Sequence, residues 1–320
     1  MGHSHSGAHG HSHSHSHSHG STGKILIASL ILTIAFVLIE VVAGFWSGSL
    51  ALLSDAGHNF TDAFGLGLAA VAYRLESRPG DHIKTFGYQR TGVLAAFVNA
   101  LLLVVVSVGL LWESYQHLLH PEPVQESIML WVAALGIVIN LLIAWSLIGH
   151  GHKHDLNVRA AFVHQVGDAA SCVAIIIGAL VIHYTGWMFV DPLLSIVIAV
   201  FIIWTSWDLF KDSLNILLEG LPKGLNLADV IQEVRCIAGV GDVHDLHIWS
   251  LGSEARALSC HVLIDDMPPS ESDAILCAVN TVLADRFDIH HTTIQFEHKG
   301  CALTEVNCGG GRRPHQHAAD

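Results

Sequence analysis

Charge is what this chain has least of: 13% of its 320 residues are Asp, Glu, Lys or Arg, about half of what a soluble globular protein carries. That scarcity argues against a soluble enzyme. Basic residues are fewer still, 15 Lys and Arg against 28 Asp and Glu, which leaves no cationic surface for a phosphate backbone and excludes nucleic acid as a partner. The six cysteines form no CxxC pair and no dense framework, so a disulfide-stapled secreted fold and a thiolate zinc ribbon are both set aside. No HExxH occurs either, which removes the commonest zinc-hydrolase signature.

What is abundant is apolar sequence and histidine. The chain is 51% hydrophobic with mean hydropathy +0.49, and the apolar residues gather into blocks before Glu219, whereas charge concentrates after it. Spanning a bilayer takes about 20 apolar residues. Six blocks qualify: Ile25 to Trp46, Leu50 to Tyr73, Gly92 to Tyr115, Ile128 to Ile148, Val158 to His183 and Val190 to Phe210. Residues 1–22 hold eight histidines before position 20, alternating mostly with serine. This composition cannot build a core and reads as a flexible arm able to hold transition metal loosely.

Six spans place both ends on one side of the membrane. Arg74, Arg78, Lys84, Arg90, Lys153, Arg159, Lys211 and Lys223 all fall in the even-numbered connections, and the odd-numbered ones carry no Lys or Arg. The positive-inside rule therefore expects cytoplasmic termini, and the short loops with no visible organelle signal point to an inner (cytoplasmic) membrane. Residues 219–300 switch to short amphipathic segments in the order αββαβ, which suggests a small open-faced α+β sandwich on the cytosolic side. The spacing predicts helices near Leu227 to Ala238 and Ser270 to Phe287, with strands near Val243 to Leu251, Ala255 to Ile264 and His291 to Glu297. Residues 301–320 read as a flexible tail. The expected organisation is thus an arm over 1–22, a six-helix membrane domain over 23–218, the soluble domain and the tail.

Ionisable residues inside a membrane helix cost about 2.5 to 3.5 kcal/mol each on insertion scales and mark a site or a pathway. The second block contains His58 and Asp62, the fifth His164 and Asp168. A spacing of four puts each pair on one helix face. One such pair can be a helix-stabilising ion pair; two matched copies in separate spans point to a metal. Two imidazoles and two carboxylates are the donor number and type that suit tetrahedral Zn(II), with Cd(II), Co(II) or Ni(II) as possible passengers. Because protons and metal compete for these atoms, the site suggests Zn(II) export by proton antiport with alternating access. A membrane-anchored metal sensor and an intramembrane zinc enzyme are the other readings.

Several longer runs carry a resemblance: EVVAGFWSGSLALLSDAGHNFTD over Glu40 to Asp62, TFGYQR over Thr85 to Arg90, DPLLSI over Asp191 to Ile196, and HDLHIW over His244 to Trp249. Over about residues 20 to 300 the chain resembles the cation diffusion facilitators. The resemblance implies a homodimer in membrane lipid, with His58, Asp62, His164 and Asp168 as the transport site of each protomer and residues 219–300 as a ferredoxin-like, metallochaperone-like dimerising domain. It further implies His244, His261 and Glu297 as metal ligands of the soluble domain, with zinc bound there. Strand parity alone places His247, rather than His244, opposite Leu246 and Ile248, so either can be the ligand. Lys84 and Tyr88 stand where some members have histidines, so Asp81 and His82 are expected to be solvated. Glu40 and Asp55 are expected to make helix-helix hydrogen bonds, and Asn140 to bond a neighbouring helix.

Overall fold

The computed structural model describes residues 19–150, 156–252 and 255–298. The HxHxH run at His150, His152 and His154 lies largely outside these residues, as do most of the His-rich arm and both Cys301 and Cys308.

Six long helices come first: α1 His19–Ser47, α2 Leu50–Glu76, α3 Thr91–Leu119, α4 Glu126–His150, α5 Leu156–Thr185 and α6 Val190–Leu217. Five of them are long and apolar enough to cross a bilayer. The exception, α2, is as long at 27 residues but is diluted by Asp55, His58, Asn59 and Asp62, the residues that make it chemically interesting. Large apolar side chains stay exposed along the outer helix faces, as lipid requires. Trp46, Trp131 and Trp145 are each 73% exposed near helix ends, the level of the amphipathic aromatic belts of membrane proteins.

The described residues fall into two compact units. The first lies within Met1–Ala63 and Val106–Phe201. Small residues let its helices approach: a Cβ added at Gly136 of α4 would meet Phe36 Cζ of α1 at 2.6 Å and Cys172 Sγ of α5 at 2.7 Å. Around this contact Ala43, Ala51, Leu52, Met129, Ala133, Cys172 and Ile175 form a buried core. The turn between α1 and α2 needs Gly48 at φ +71°. Ser49 then caps α2 by accepting from Leu52 N at 3.2 Å. Asp191, in the first turn of α6, adds a cap across the fold, accepting from Ser49 Oγ at 2.6 Å and Leu50 N at 2.7 Å.

The second unit, within Phe64–Val105 and Ile202–Asp320, contains the C-terminal domain. It has α7 Leu227–Arg235, β1 Val240–Ser250, β2 Arg256–Ile264, α8 Pro269–Phe287 and β3 His291–Glu297. The sheet order is β1-β2-β3, with β1 antiparallel and β3 parallel to β2. This is the open-faced sandwich expected from the sequence, lacking the leading strand of a full ferredoxin-like βαββαβ unit. Asn226 caps α7 by accepting from Ala228 N at 3.0 Å, and α8 begins on Pro269, whose missing N–H needs no partner there. Val230, Val234, Val243, Leu258, Val262, Val279 and Leu283 bury one sheet face under the two helices. The opposite face carries the polar residues of β1, β2 and β3.

β1 starts three residues earlier than the pattern suggests and is not a regular strand. His244 pairs with His261, whereas His247 pairs with Ser259, so β1 carries an extra residue between them, besides a register shift between Val240 and Asp242. Asp245 takes that place at φ 50°, the left-handed region of a β-bulge.

Candidate metal centre

Two matched helix faces meet in the first unit. His164 Nε2 lies 3.2 Å from Asp62 Oδ2 and 3.5 Å from Asp168 Oδ2. His58 Nε2 lies 3.5 Å from Asp62 Oδ2 and 3.8 Å from Asp168 Oδ1. All four residues singled out in the two spans are therefore brought to one place, each imidazole facing both carboxylates. Metal-donor bonds of about 2.0 to 2.1 Å in a tetrahedron give donor-donor edges of about 3.3 Å. The four separations bracket that value. The rings stand edge to face at 75°, so their nitrogens converge without stacking.

Burial grades across the centre. Asp168 is 4% exposed, while the His164 side chain is 42% exposed, which leaves one flank open to an arriving ion. Asp62 Oδ2 and His58 Nδ1 are buried without a hydrogen-bond partner. Orphaned polar atoms are costly in a protein interior, and a cation at the convergence point would satisfy the carboxylate oxygen.

The outer face of the C-terminal sheet assembles a second centre. His244 Nε2 lies 3.2 Å from Glu297 Oε2, and His261 Nδ1 3.0 Å from Glu297 Oε1. His244 Nε2, His261 Nδ1 and Glu297 Oε2 are nevertheless buried atoms without hydrogen-bond geometry, as expected of lone pairs aimed at a common ion rather than at one another. The bulge places the two histidines differently. With one residue inserted at Asp245, Val243 points to the core and His244 outward beside His261, their ring centroids 5.4 Å apart. His247 stays on the same face, but its side chain is 50% exposed and turns to Asp245 Oδ1 at 3.1 Å. Cys260 is no competitor, since it faces the core and burial pushes its thiol up to about 12. We expect His244→Ala to lower zinc affinity at this centre by about 10- to 100-fold and His247→Ala to change it far less, read by isothermal titration of the full chain. Equal losses would reverse the assignment.

The loop between α2 and α3 forms no such cluster. Asp81 Oδ1 accepts from Ile83 N at 2.8 Å and Lys84 N at 2.6 Å. Those bonds, first from Lys84 and then from Ile83, hold its carboxyl below the usual range. Lys84 sits 5.7 Å from the Tyr88 ring centroid. Both residues that replace histidines are thus occupied with each other.

Glu40 and Asp55 make the interhelix bonds expected of them: Asn59 Nδ2 of α2 donates to Glu40 Oε2 at 3.2 Å, and Ser171 of α5 donates to Asp55. Asn140 approaches Cys172 of α5 at 3.9 Å. Cys172 stands out in no sequence pattern, because a lone cysteine in an apolar helix carries no spacing signal.

A family model described as the cation efflux transmembrane domain matches residues 26–218, and one described as the cation efflux protein cytoplasmic domain matches 222–299. The chain is 40% identical to the zinc transporter ZitB of Escherichia coli (strain K12), over 99% of both chains. It is 37% identical to the cadmium, cobalt and zinc/H(+)-K(+) antiporter of Bacillus subtilis (strain 168), over 99% of this chain and all of that one. It is 41% identical to the metal cation efflux system protein CzcD of Cupriavidus metallidurans, over 95% of this chain and 92% of that one. Among solved structures, the metal-bound C-terminal domain of that CzcD transporter is 42% identical, covering 23% of this chain and 99% of its own, with a TM-score of 0.21.

Proposed function

The chain belongs to the cation efflux family, and on that basis we propose that it exports Zn(II) from the cytoplasm in exchange for protons. It is a divalent-metal transporter and not an enzyme. The observation that carries the choice of ion is the mixed imidazole and carboxylate donor set: His58, Asp62 and His164 each offer an atom within 4.8 Å of the others, and Asp168 turns Oδ1 to His58 and Oδ2 to His164, donors that suit Zn(II).

Exchange with protons follows from the chemistry of the donors. Imidazole binds metal only when neutral, and carboxylate only when ionised, so loading expels protons and protonation expels metal. Histidine does this near neutral pH. If α2 and α5 expose the cage first to one side and then to the other, a proton gradient pulls metal the opposite way. The distribution of Arg and Lys supports cytoplasmic termini, and the similarity to bacterial transporters supports an inner-membrane protein. The C-terminal domain matches the family's dimer-forming cytoplasmic domain, which supports a homodimer. Its His244, His261 and Glu297 would hold a further zinc ion, tying β1 and β2 to β3.

In everted membrane vesicles, zinc is expected to accumulate when the lumen is more acidic than the medium, and to stop accumulating when the gradient is dissipated. Uptake indifferent to the gradient would remove the proton coupling.

A further inference from the structure

Glu40 of α1, Asp55 of α2 and Cys172 of α5 form another cluster, enclosed on all sides, with exposures of 0%, 1% and 0%. One donor atom from each lies within 4.8 Å of the others. Their hydrogen-bond partners are Asn59, Ser171, Asn140 and one another, none of them cationic. Glu40 Oε1 is buried with no hydrogen-bond partner at all. Two carboxylates removed from water without a positive partner are costly, and a cation at their centre relieves both the charge and the orphaned oxygen.

The position of the cluster connects it to the cage. Asp62 faces His164, His58 faces Asp168, and Asp55 faces Ser171 and Cys172. Numbers fall on one helix as they rise on the other, so α2 and α5 run antiparallel, and these contacts are successive rungs of one ladder. Asp55 is three residues before His58, a displacement of about 4.5 Å at 1.5 Å per residue. The ladder leads from the cage toward the turn between α1 and α2.

We propose that Glu40, Asp55 and Cys172 are a second binding step for the metal cargo, selective for Cd(II) over Zn(II). This rests on the reading of the metal as cargo, though not on its exchange with protons. The sulfur supplies the selectivity, because thiolate favours softer ions than carboxylate or imidazole does. Cys172 Sγ lies 3.6 Å from Asp55 Oδ2, close enough for both atoms to reach one ion.

The test uses the full-length chain with Cys236, Cys260, Cys277, Cys301 and Cys308 replaced by serine, so that Cys172 is its one thiol. Cd(II) added to this protein in detergent should produce the ultraviolet charge-transfer absorption of a cadmium-thiolate bond, and Glu40→Gln should weaken it. In vesicles, Cys172→Ser in the otherwise native chain should lower cadmium uptake about tenfold or more relative to zinc uptake, the zinc rate reporting that the variant folds. If Cys172→Ser fails to fold, the absorption of the single-thiol protein still decides the matter. Absence of that absorption overturns the proposal, and the buried carboxylates then hold protons alone. Its presence alongside zinc uptake indifferent to pH leaves the cadmium step standing and removes only the antiport.

Discussion

Asp168→Asn is expected to leave the chain folded and to cut zinc uptake by about 100-fold or more. The side chain is 4% exposed and lies within 3.8 Å of both imidazoles, so it serves α2 and α5 at once. Asparagine keeps the volume and one acceptor oxygen but removes the negative charge. Breaking a buried charged pair on one side costs about 3 to 5 kcal/mol, and each 1.4 kcal/mol is about tenfold in affinity. Of the four donors Asp168 is the most enclosed, and water cannot replace it. Initial rates in reconstituted vesicles, with circular dichroism as the check on folding, measure the effect. A variant that retained a tenth or more of the wild-type rate would show that the carboxylate is not a ligand.

The largest expected loss of stability lies elsewhere, at Asp191. This fully buried carboxylate accepts from Ser49 Oγ, Leu50 N and Ala51 N, the last at 3.3 Å. It caps the N-terminus of α2 from the first turn of α6, where unpaired N–H groups and the helix dipole both favour negative charge. Hydrogen bonds to a charged acceptor contribute about 1.5 to 3 kcal/mol each, and orphaned buried donors add a penalty. Asp191→Ala should therefore destabilise the protein by about 3 kcal/mol, and Asp191→Asn by less, because its amide oxygen still accepts. Denaturant unfolding in detergent reads the difference. Unchanged stability in Asp191→Ala would mean that α2 is held by its packing alone. The site shares the consequence, since Asp55, His58 and Asp62 follow the capped turn directly.

The parts of this arrangement that were legible in the sequence are those that obey a period. Hydropathy marked the helices, since lipid imposes one rule on every residue of a span, and the repeated four-residue spacing marked His58, Asp62, His164 and Asp168. Alternation placed His261 and Glu297 on the polar face of the sheet. What the sequence hid depends on particular contacts. Strand parity could not choose between His244 and His247, because a single residue in the left-handed region breaks the alternation. The Asp191 cap joins positions 141 residues apart, and Cys172 meets Asp55 across 117 residues. No local pattern records such meetings.

The bulge at Asp245 also bears on how this strand can change length. Val243 points inward and His244 outward on one side of it, Leu246 inward and His247 outward on the other. Take Asp245 away and the alternation runs on unbroken, with every neighbour keeping its face. A shorter version of the strand would thus preserve both its core and its outward-facing imidazoles, losing only the carboxylate now 3.8 Å from His261. At this one position the domain can gain or lose a charged neighbour to the His244, His261 and Glu297 cluster by a change of length alone.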